Sequence, residues 1–329
     1  MTSCVRLNCL TTRLAVLVVC AAAGAAQAAE QAYPTRAIRL IVPFPPGGGS
    51  DAVARVLAPK LSEAMGQTWV VDNRTGAAGN LGAEIAVRSN PDGYTVFQPL
   101  SLPITANPSL YKLPFDVQRD LQPITTLAIS EQILVIHPAV PARTLKEFVA
   151  LTKQKPGALN YSSAGAGSAP HLGAELLKRR TGIDLTHVAY KGGGPATAAV
   201  LSGEVQAQVA SGASALPFIK SGRLRALAST SARRSKLLAD LPTVAESGYP
   251  GFEMTVWHGM AVPAGTPASI VQRIHGEVIK ALQQPDVQTA LGRQGLDPET
   301  STPQEMAARI KAETAMWASV IKDAGIRAE

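Results

Sequence analysis

Four glycine-rich segments hold the residues of this sequence that are best suited to bind a small anion. Each lies between a β-branched run that predicts a strand and an amphipathic stretch that predicts a helix. In chain order, the four glycine turns are Gly47-Gly48-Gly49-Ser50-Asp51, Gly76-Ala77-Ala78-Gly79-Asn80, Gly165-Ala166-Gly167-Ser168 and Lys191-Gly192-Gly193-Gly194-Pro195.

The backbone of such a turn can bind a negative group without a charged side chain. A helix N-terminus carries unpaired N–H groups and about half a positive charge. Glycine lets a ligand approach those donors closely. Ligands of α/β sheets usually bind at the carboxyl ends of the strands, where the four turns are predicted to lie. The pattern therefore predicts that turns from two sheets face each other and hold one or two carboxylates.

The expected ligand-binding residues lie in or beside these turns. They are Phe44, Gly48, Gly49, Ser50, Asp51, Gly76, Ala77, Gly79, Asn80, Ser101, Ser163, Ala164, Gly165, Ser168, His171, Tyr190 and Gly192. Phe44 and Tyr190 either form walls around the ligand or belong to the core. Asp51 either complements the dipole of the helix it begins or contacts the ligand through water or at an amine.

Other chemistries fit the sequence less well. The first turn lacks the Gly-Lys-Ser/Thr of a phosphate loop, the second lacks dinucleotide-binding spacing, and the third is not a nucleophile elbow. His171 and Glu175 share a predicted helix face, but no third metal ligand accompanies them, so we expect neither metal nor cofactor. A secreted hydrolase remains an alternative, with Ser163 or Ser168 as nucleophile and His171 as base.

The N-terminus predicts export. Arg6 and Arg13 precede and flank an apolar run over residues 14–26, which is too short to span a bilayer and ends in a small-x-small motif. We expect a signal peptide over residues 1–28, cleavage after Ala28, and a periplasmic protein. All three cysteines lie within that segment, so the mature chain has no disulfide and no thiolate chemistry.

Charge argues against nucleic acid as a partner. Removing the two arginines of the signal segment lowers the net charge from +7 to +5, and aromatic residues make up only 5% of the chain. A nucleic-acid surface needs a denser basic stripe. A modest positive field suits a small anion instead.

The alternation of strands and helices predicts an α/β fold, and the length of 329 residues favours two domains. The predicted strands are 38–42, 68–71, 95–97, 133–136, 159–162, 187–190, 205–209, 224–229 and 259–262. Thr302 and Glu305 form a capping box that begins one long helix ending near Asp323. Two glycine turns precede residue 110 and two follow residue 155, so each lobe should contribute two.

Several segments match a known family in order along nearly the whole mature chain. They are IVPFPPGGGSD (41–51), VDNRTGAAGN (71–80), NPDGYT (90–95), YSSAG (161–165), GSAPHL (167–172), VAYKGGGPA (188–196), LPT (241–243), Trp257 and PAGTP (263–267). The sequence resembles the Bug-type (TctC-like) solute-binding receptors of tripartite tricarboxylate transporters.

The resemblance implies a two-lobed periplasmic receptor with a Venus-flytrap closure and no enzymatic activity. The first lobe would comprise residues 29–130 and 251–329, including the long C-terminal helix, and the second lobe residues 131–250. The implied ligand is a small organic carboxylate, held between the lobes and delivered to inner-membrane transporter subunits by a monomer. A receptor that signals to a membrane protein is an alternative role.

One position departs from the family pattern. Family members often carry an Asp where this chain has Ala210, beside Ser211. Ala210 is therefore included among the ligand-binding residues. Without that carboxylate, we expect a ligand that has no positive charge.

Overall fold

The computed structural model describes residues 33–234 and 238–327. The predicted signal peptide and its cleavage site lie outside the described residues. Two β-sheets with helices packed against them organise the described chain. We call the six-stranded sheet and its helices the first lobe, and the five-stranded sheet and its helices the second lobe.

The first lobe begins with residues 38–130. They form β1 (Ile38–Val42), α1 (Gly49–Met65), β2 (Trp69–Asn73), a short 3-10 turn (Ala77–Gly79), α2 (Asn80–Val87), β3 (Thr95–Phe97), α3 (Ser101–Thr105), α4 (Asn107–Leu110), α5 (Val117–Asp120) and β4 (Leu121–Ser130).

The second lobe is built from the middle of the chain. Its elements are β5 (Gln132–Ile136), α6 (Leu145–Gln154), β6 (Asn160–Ser163), α7 (Ala169–Thr181), β7 (Thr186–Ala189), α8 (Gly193–Ser202), β8 (Ala207–Ser211), α9 (Gly212–Lys220) and β9 (Arg225–Ser229). The chain then returns to the first sheet with β10 (Val256–Pro263), α10 (Ala268–Leu282), α11 (Pro285–Arg293), β11 (Leu296–Pro298) and α12 (Pro303–Asp323).

The strand order is β11-β4-β10-β3-β1-β2 in the first sheet and β7-β6-β8-β5-β9 in the second. β1 pairs in parallel with β2 and β3, and β6 pairs in parallel with β7 and β8. The predicted α/β fold, with a helix-flanked sheet in each of two lobes, is confirmed. The residue boundaries expected for the lobes stay a prediction, which the sheet membership of the strands supports.

The cores follow the hydrophobic patterns. Val53, Leu57 and Leu61 of α1 are buried in one core cluster with residues of β1 and β10, as their spacing predicts. Helix α12 packs Met306 and Ile310 with residues of the first sheet, but Trp317, Val320 and Ile321 lie in the core cluster of the second lobe. The long C-terminal helix therefore contacts both lobes.

All nine predicted strands are present, and the described residues contain two further strands, β4 and β11. β4 escapes the sequence pattern because Pro123, which has no N–H to donate, interrupts it. At Pro123, β4 pairs only with β10, because β11 pairs with the other end of β4, at Ala128–Ser130. The register of β10 shifts between Met260 and Ala261, next to the pair that Ala261 forms with Pro123. The capping box of Thr302 and Glu305 is confirmed.

No helix within residues 33–234 and 238–327 has both the length and the apolar character needed to cross a membrane.

Candidate functional site

The four glycine turns leave their sheets as two neighbouring pairs. Val42 at the end of β1 lies opposite Asn73 at the end of β2, so the first and second turns start side by side. In the second sheet, Ser163 at the end of β6 lies opposite Ala189 at the end of β7, where the third and fourth turns start. Parallel pairing thus brings each pair of turns together at the carboxyl edge of its sheet.

The helices that follow the turns have N-termini without a side-chain cap. Their N-cap residues are Gly48, Gly79, Ser168 and Gly192, and none accepts a capping hydrogen bond with its side chain. The hydroxyl of Ser168 donates to the carbonyl oxygen of Gly165 instead. Some other helices also lack such a cap, but these four follow parallel strands through glycine turns. Their first N–H groups and dipole ends remain available to an anion.

Asp51 supports the first turn from within the fold. It is 3% exposed. Its Oδ2 accepts from the backbone N of Gly47 at 2.9 Å and from Nε of Arg55 at 2.8 Å. Its Oδ1 accepts from Nδ2 of Asn73 at 3.1 Å, and the same amide donates to the carbonyl oxygen of Phe44. The hydrogen bond from Arg55 is the main cause that holds the pKa of Asp51 below its ordinary value.

These contacts favour the structural interpretation of Asp51 over a direct role in ligand binding. Its carboxylate oxygens are taken up by donors of the protein, and they join the first turn to the end of β2.

The second turn has an unusual backbone. Four consecutive residues have positive φ angles: Gly76 at 145°, Ala77 at 47°, Ala78 at 55° and Gly79 at 91°. Two successive alanines in the left-handed region carry strain of about 1–3 kcal/mol each, which persists only where the surrounding structure enforces it. Gly79 also lies against Phe44, because a Cβ atom built on it would be 3.3 Å from Phe44 Cζ.

Helix α4 connects the second turn with the third turn. Nδ2 of Asn107 donates to the carbonyl oxygen of Ala78 at 3.2 Å and to Oδ1 of Asn80 at 2.8 Å. Leu110, three residues further along the chain, packs so closely on Gly167 that a Cβ atom built there would be 2.8 Å from Leu110 Cδ1. The turns of the two lobes therefore lie within one connected set of contacts.

The third turn is held by buried side chains. Oγ of Ser163 accepts from the backbone N of Gly165 at 3.1 Å and lies 2.6 Å from Nε2 of His187. Nδ1 of His171 accepts from the backbone N of Gly167 at 3.1 Å. The two imidazole rings are stacked with centroids 3.9 Å apart. Ser163 is 0% exposed, so its hydroxyl serves the turn and is not presented to a substrate.

The fourth turn starts at Tyr190, whose backbone N donates to the carbonyl oxygen of Ser163. The hydroxyl of Tyr190 donates to Glu204 at 2.9 Å. Burial is the main cause that raises the pKa of Tyr190, and Glu204 adds to it. The ring is half-buried beside Gly192, where it could form a wall of a binding site.

The other predicted site residues divide by exposure. Gly48, Gly49, Gly76 and Ala77 are exposed, and Ala164, Gly165, Ser168 and Gly192 are half-buried. Gly79, Asn80, Ser101 and Ala210 are buried. Ser101 is fully buried and its Oγ accepts from the backbone N of Trp257, whereas Ala210 belongs to an apolar cluster with Ile133 and Val200.

Ser50 is also buried, above His258. Its Oγ lies 3.4 Å from Nδ1 of His258, and its carbonyl oxygen accepts from Nε2 of Gln98 at 2.7 Å. Burial lowers the pKa of His258 to about 4, so the imidazole beneath the first turn is neutral at neutral pH.

Several residues that position the turns carry no signal in the sequence. Asn73 and Asn107 are single polar residues with no motif to mark their bonds. His187 also lies in no motif, although parallel pairing of β6 and β7 places it directly opposite Tyr161, two residues before Ser163. The histidine hydrogen-bonded to Ser163 is therefore His187, whereas Nδ1 of His171, the base expected for a hydrolase, accepts from Gly167.

The larger cavities lie away from the four glycine turns, and the described residues contain no candidate metal site. Three cavities of about 1350, 260 and 280 Å³ are lined by residues outside the four turns. Within the described residues, no group of three or more His, Cys, Asp or Glu could hold a metal ion. The geometry of the turns thus carries the case for the site.

A comparison with known protein families shows which family the chain belongs to. The model of the "tripartite tricarboxylate transporter family receptor" matches residues 53–326. The chain belongs to this receptor family. Its fold is that of the periplasmic binding proteins.

Individual members of the receptor family are similar over nearly their whole length. Protein BugT of Bordetella pertussis is 37% identical over 325 residues, which cover 97% of this chain and 99% of BugT. An R. palustris protein solved with adipate is 34% identical, with a TM-score of 0.75 and coverage of 90% and 99%. MatC from Rhodopseudomonas palustris, solved with bound malate, is 30% identical, with a TM-score of 0.71 and coverage of 88% and 100%.

Proposed function

We propose that this protein captures a small organic carboxylate between its two lobes and delivers it to a tripartite tricarboxylate-type transporter. The observation that carries the proposal is the arrangement of four uncapped helix N-termini, in two adjacent pairs at the carboxyl edges of the two sheets. Backbone amides in such positions stabilise a carboxylate without a permanently charged partner.

The proposed ligand carries negative charge and no amine. Adipate and malate, the ligands of two solved relatives, are dicarboxylates. Asp51 is occupied by Gly47, Asn73 and Arg55, and position 210 carries an alanine, so neither supplies a free carboxylate for an ammonium group. We expect the carboxylates to lie against the exposed turn residues Gly48, Gly49, Gly76 and Ala77 and the half-buried Gly165, Ser168 and Gly192.

We further propose that the mature protein is a periplasmic monomer. The expected signal peptide over residues 1–28 and the receptor family support this location. Closure of the lobes over the ligand would give the transporter subunits a surface that the empty protein does not present. A receptor that reports to a membrane signalling protein would use the same closure.

A hydrolase is the alternative function, and one observation favours it: Oγ of Ser163 lies 2.6 Å from Nε2 of His187. The burial of Ser163 and the bond from Gly165 to its hydroxyl argue against a nucleophile at this position. We therefore propose a binding protein without turnover.

Calorimetric titration of the protein lacking residues 1–28 tests the proposal. The panel should contain adipate, malate, citrate, benzoate, aspartate and glutamate. We expect at least one carboxylate without an amine to bind more tightly than both amino acids and to be recovered unchanged. Tighter binding of an amino acid would contradict the proposed ligand class, and hydrolysis of an ester substrate that depends on Ser163 would contradict the absence of turnover.

A further inference from the structure

The third glycine turn is held by a histidine acting as a hydrogen-bond acceptor. His171 is the third residue of α7, and its Nδ1 accepts from the backbone N of Gly167, the residue before the N-cap Ser168. An imidazole nitrogen can accept only when it carries no proton. A protonated imidazole would point an N–H group at another N–H group, so this contact requires neutral His171.

The same position in two other helices of the chain carries a glutamate. Glu147 is the third residue of α6, and its Oε2 accepts from the backbone N of Arg143, which precedes the N-cap Thr144. Glu305 is the third residue of α12, and it accepts from the backbone N of its N-cap Thr302. A carboxylate is thus the acceptor at this position in two helices away from the proposed site. It is also the acceptor in the first turn, where Asp51, the third residue of α1, accepts from the backbone N of Gly47 and is paired with Arg55.

A neutral acceptor differs from a carboxylate in its effect on a bound anion. A glutamate at position 171 would place a negative charge in the first turn of α7, beside the proposed carboxylate site. It would offset the positive end of the helix dipole that the ligand is expected to use. An imidazole holds the backbone in the same way and leaves that positive end uncompensated.

The imidazole of His171 belongs to a packed group that fixes the whole turn. Its ring stacks on His187, whose Nε2 lies 2.6 Å from Oγ of Ser163. Ser163 in turn accepts from the backbone N of Gly165. The stacked rings are thus linked to both positive-φ glycines of the third turn: His171 is hydrogen-bonded to Gly167 directly, and His187 is linked to Gly165 through Ser163.

The charged and titratable groups around this pair are few. Glu175 of α7 accepts from the hydroxyl of Tyr161 at 2.6 Å and from Nζ of Lys178 at 2.9 Å. The pKa of His171 is lowered to about 4, mainly by burial; His187 and Lys178 also lower it, and Glu175 opposes the shift. Burial also lowers the pKa of His187. Both rings are neutral at neutral pH and gain protons only in acid.

We propose that His171 is a positioning residue whose neutral imidazole holds the third turn in its ligand-binding conformation, and that protonation of His171 releases the turn. The consequence for ligand affinity rests on the proposed carboxylate-binding function. The consequence for the turn itself does not.

Amide exchange measured by NMR on the ligand-free protein tests the positioning role. In the wild type, we expect the protection of the Gly167 amide, corrected for intrinsic exchange, to fall at least about tenfold between pH 7 and pH 4, since a protonated ring cannot accept the bond. His171→Gln keeps an acceptor that does not titrate in this range, so protection should persist at both pH values. His171→Ala should lack it at both, and amides of β1 serve as the control for global unfolding.

The proposal is overturned if the wild-type Gly167 amide is equally protected at both pH values, or if His171→Ala protects it as well as the wild type does. Loss of protection in β1 as well would also overturn it, because release would then be global unfolding.

Calorimetry with adipate and malate at pH 7 tests the effect on affinity. His171→Gln and His171→Glu both offer an acceptor and differ in charge. We expect the glutamate variant to bind the dicarboxylate about tenfold more weakly than the glutamine variant, as a charge near a helix N-terminus can produce. Equal affinities would refute the charge argument. Failure of the wild type to bind either probe would count against the proposed function, while the amide exchange still decides the role of His171.

Discussion

Gly167 of the third turn packs directly on Leu110 of α4, with no room for a Cβ atom between them. This contact matters because α4 also holds the second turn through Asn107. Gly167 has a φ angle of 73°, which glycine adopts without strain.

Gly167→Ala should therefore destabilise the protein and separate the third turn from α4. We expect a loss of about 1–3 kcal/mol in the free energy of unfolding, mainly from backbone strain, because the clash is with the end of the half-buried Leu110 side chain, which can partly move aside. Urea denaturation measures the loss, and calorimetry with adipate or malate measures the accompanying drop in affinity.

A double-mutant cycle separates the two causes. Leu110→Ala removes the clashing side chain, so adding it to Gly167→Ala should recover about 1 kcal/mol relative to the sum of the single changes. Strict additivity of the two changes would show that the residues do not touch in solution.

Ala78→Gly should relieve strain in the second turn and weaken ligand binding. Ala78 has a φ angle of 55°, which costs an alanine more than a glycine. We expect unfolding stability to stay equal or to rise by up to about 1 kcal/mol, because relief in the folded state offsets the greater freedom of the unfolded chain. Ligand affinity should fall, since the turn is less rigidly arranged before binding.

The matched control is Ala307→Gly, in the exposed interior of α12. It should cost about 1 kcal/mol of stability, as expected in an ordinary helix, and leave affinity unchanged. If Ala78→Gly costs as much as Ala307→Gly, then Ala78 is not strained.

Asp51→Asn should loosen the first turn. The substitution keeps a similar shape but removes the charge and turns an acceptor into a donor that faces Gly47 and Arg55. We expect a loss of about 1–3 kcal/mol in unfolding stability, and weaker ligand binding, because buried donors are left without an acceptor.

Asp286→Asn provides the comparison. Asp286 also lies in the first turn of a helix and pairs with a lysine, Lys60, but its side chain is 64% exposed. An exposed pair contributes little, so the change should stay within about 0.5 kcal/mol. Equal effects of the two substitutions would contradict the buried structural role of Asp51.

Stability should fall in mild acid because of His258. Its folded-state pKa is about 4, whereas an unfolded histidine titrates near its ordinary value of 6.5. Between these values the unfolded chain takes up a proton that the folded protein does not, so stability is full above pH 6.5 and declines as the pH falls towards 4. One such group can remove up to about 3 kcal/mol.

Urea denaturation at pH 7 and pH 5 measures this decline. His258→Gln should lose less stability than the wild type over the same interval, because the glutamine does not titrate. An identical pH dependence in both proteins would show that His258 does not contribute to it.

The sequence contained enough information for the sheets and the turns. Short β-branched runs are readable because burial on both faces demands them, and nine strands were found in this way. β4 was not found, because Pro123 interrupts the strand pattern, and the pairing with β10 that holds this segment in the sheet is not visible in the sequence. The glycine turns were readable because positive φ angles favour glycine, and Gly47, Gly76, Gly79, Gly165, Gly167 and Gly192 all adopt them.

The direction of individual side chains was harder to predict. Asp51 occurs in an exposed-looking turn, yet tertiary contacts with Asn73 and Arg55 draw its carboxylate inward. Ala210 is expected at the ligand from the resemblance to a family pattern, whereas its side chain packs in an apolar cluster of the second lobe. Such orientations depend on residues distant in sequence, which motif spacing does not report.

The position of β10 between β3 and β4 has a consequence for the order of folding. Until residues 256–263 are available to pair, β1, β2 and β3 have no strand that joins them to β4. All strands of the second sheet, in contrast, lie between residues 132 and 229, so that sheet needs no later part of the chain. The lobe that starts first is therefore completed last, and a polypeptide truncated before β10 would present the β2-β1-β3 fragment with an open edge and β4 without either of its neighbouring strands.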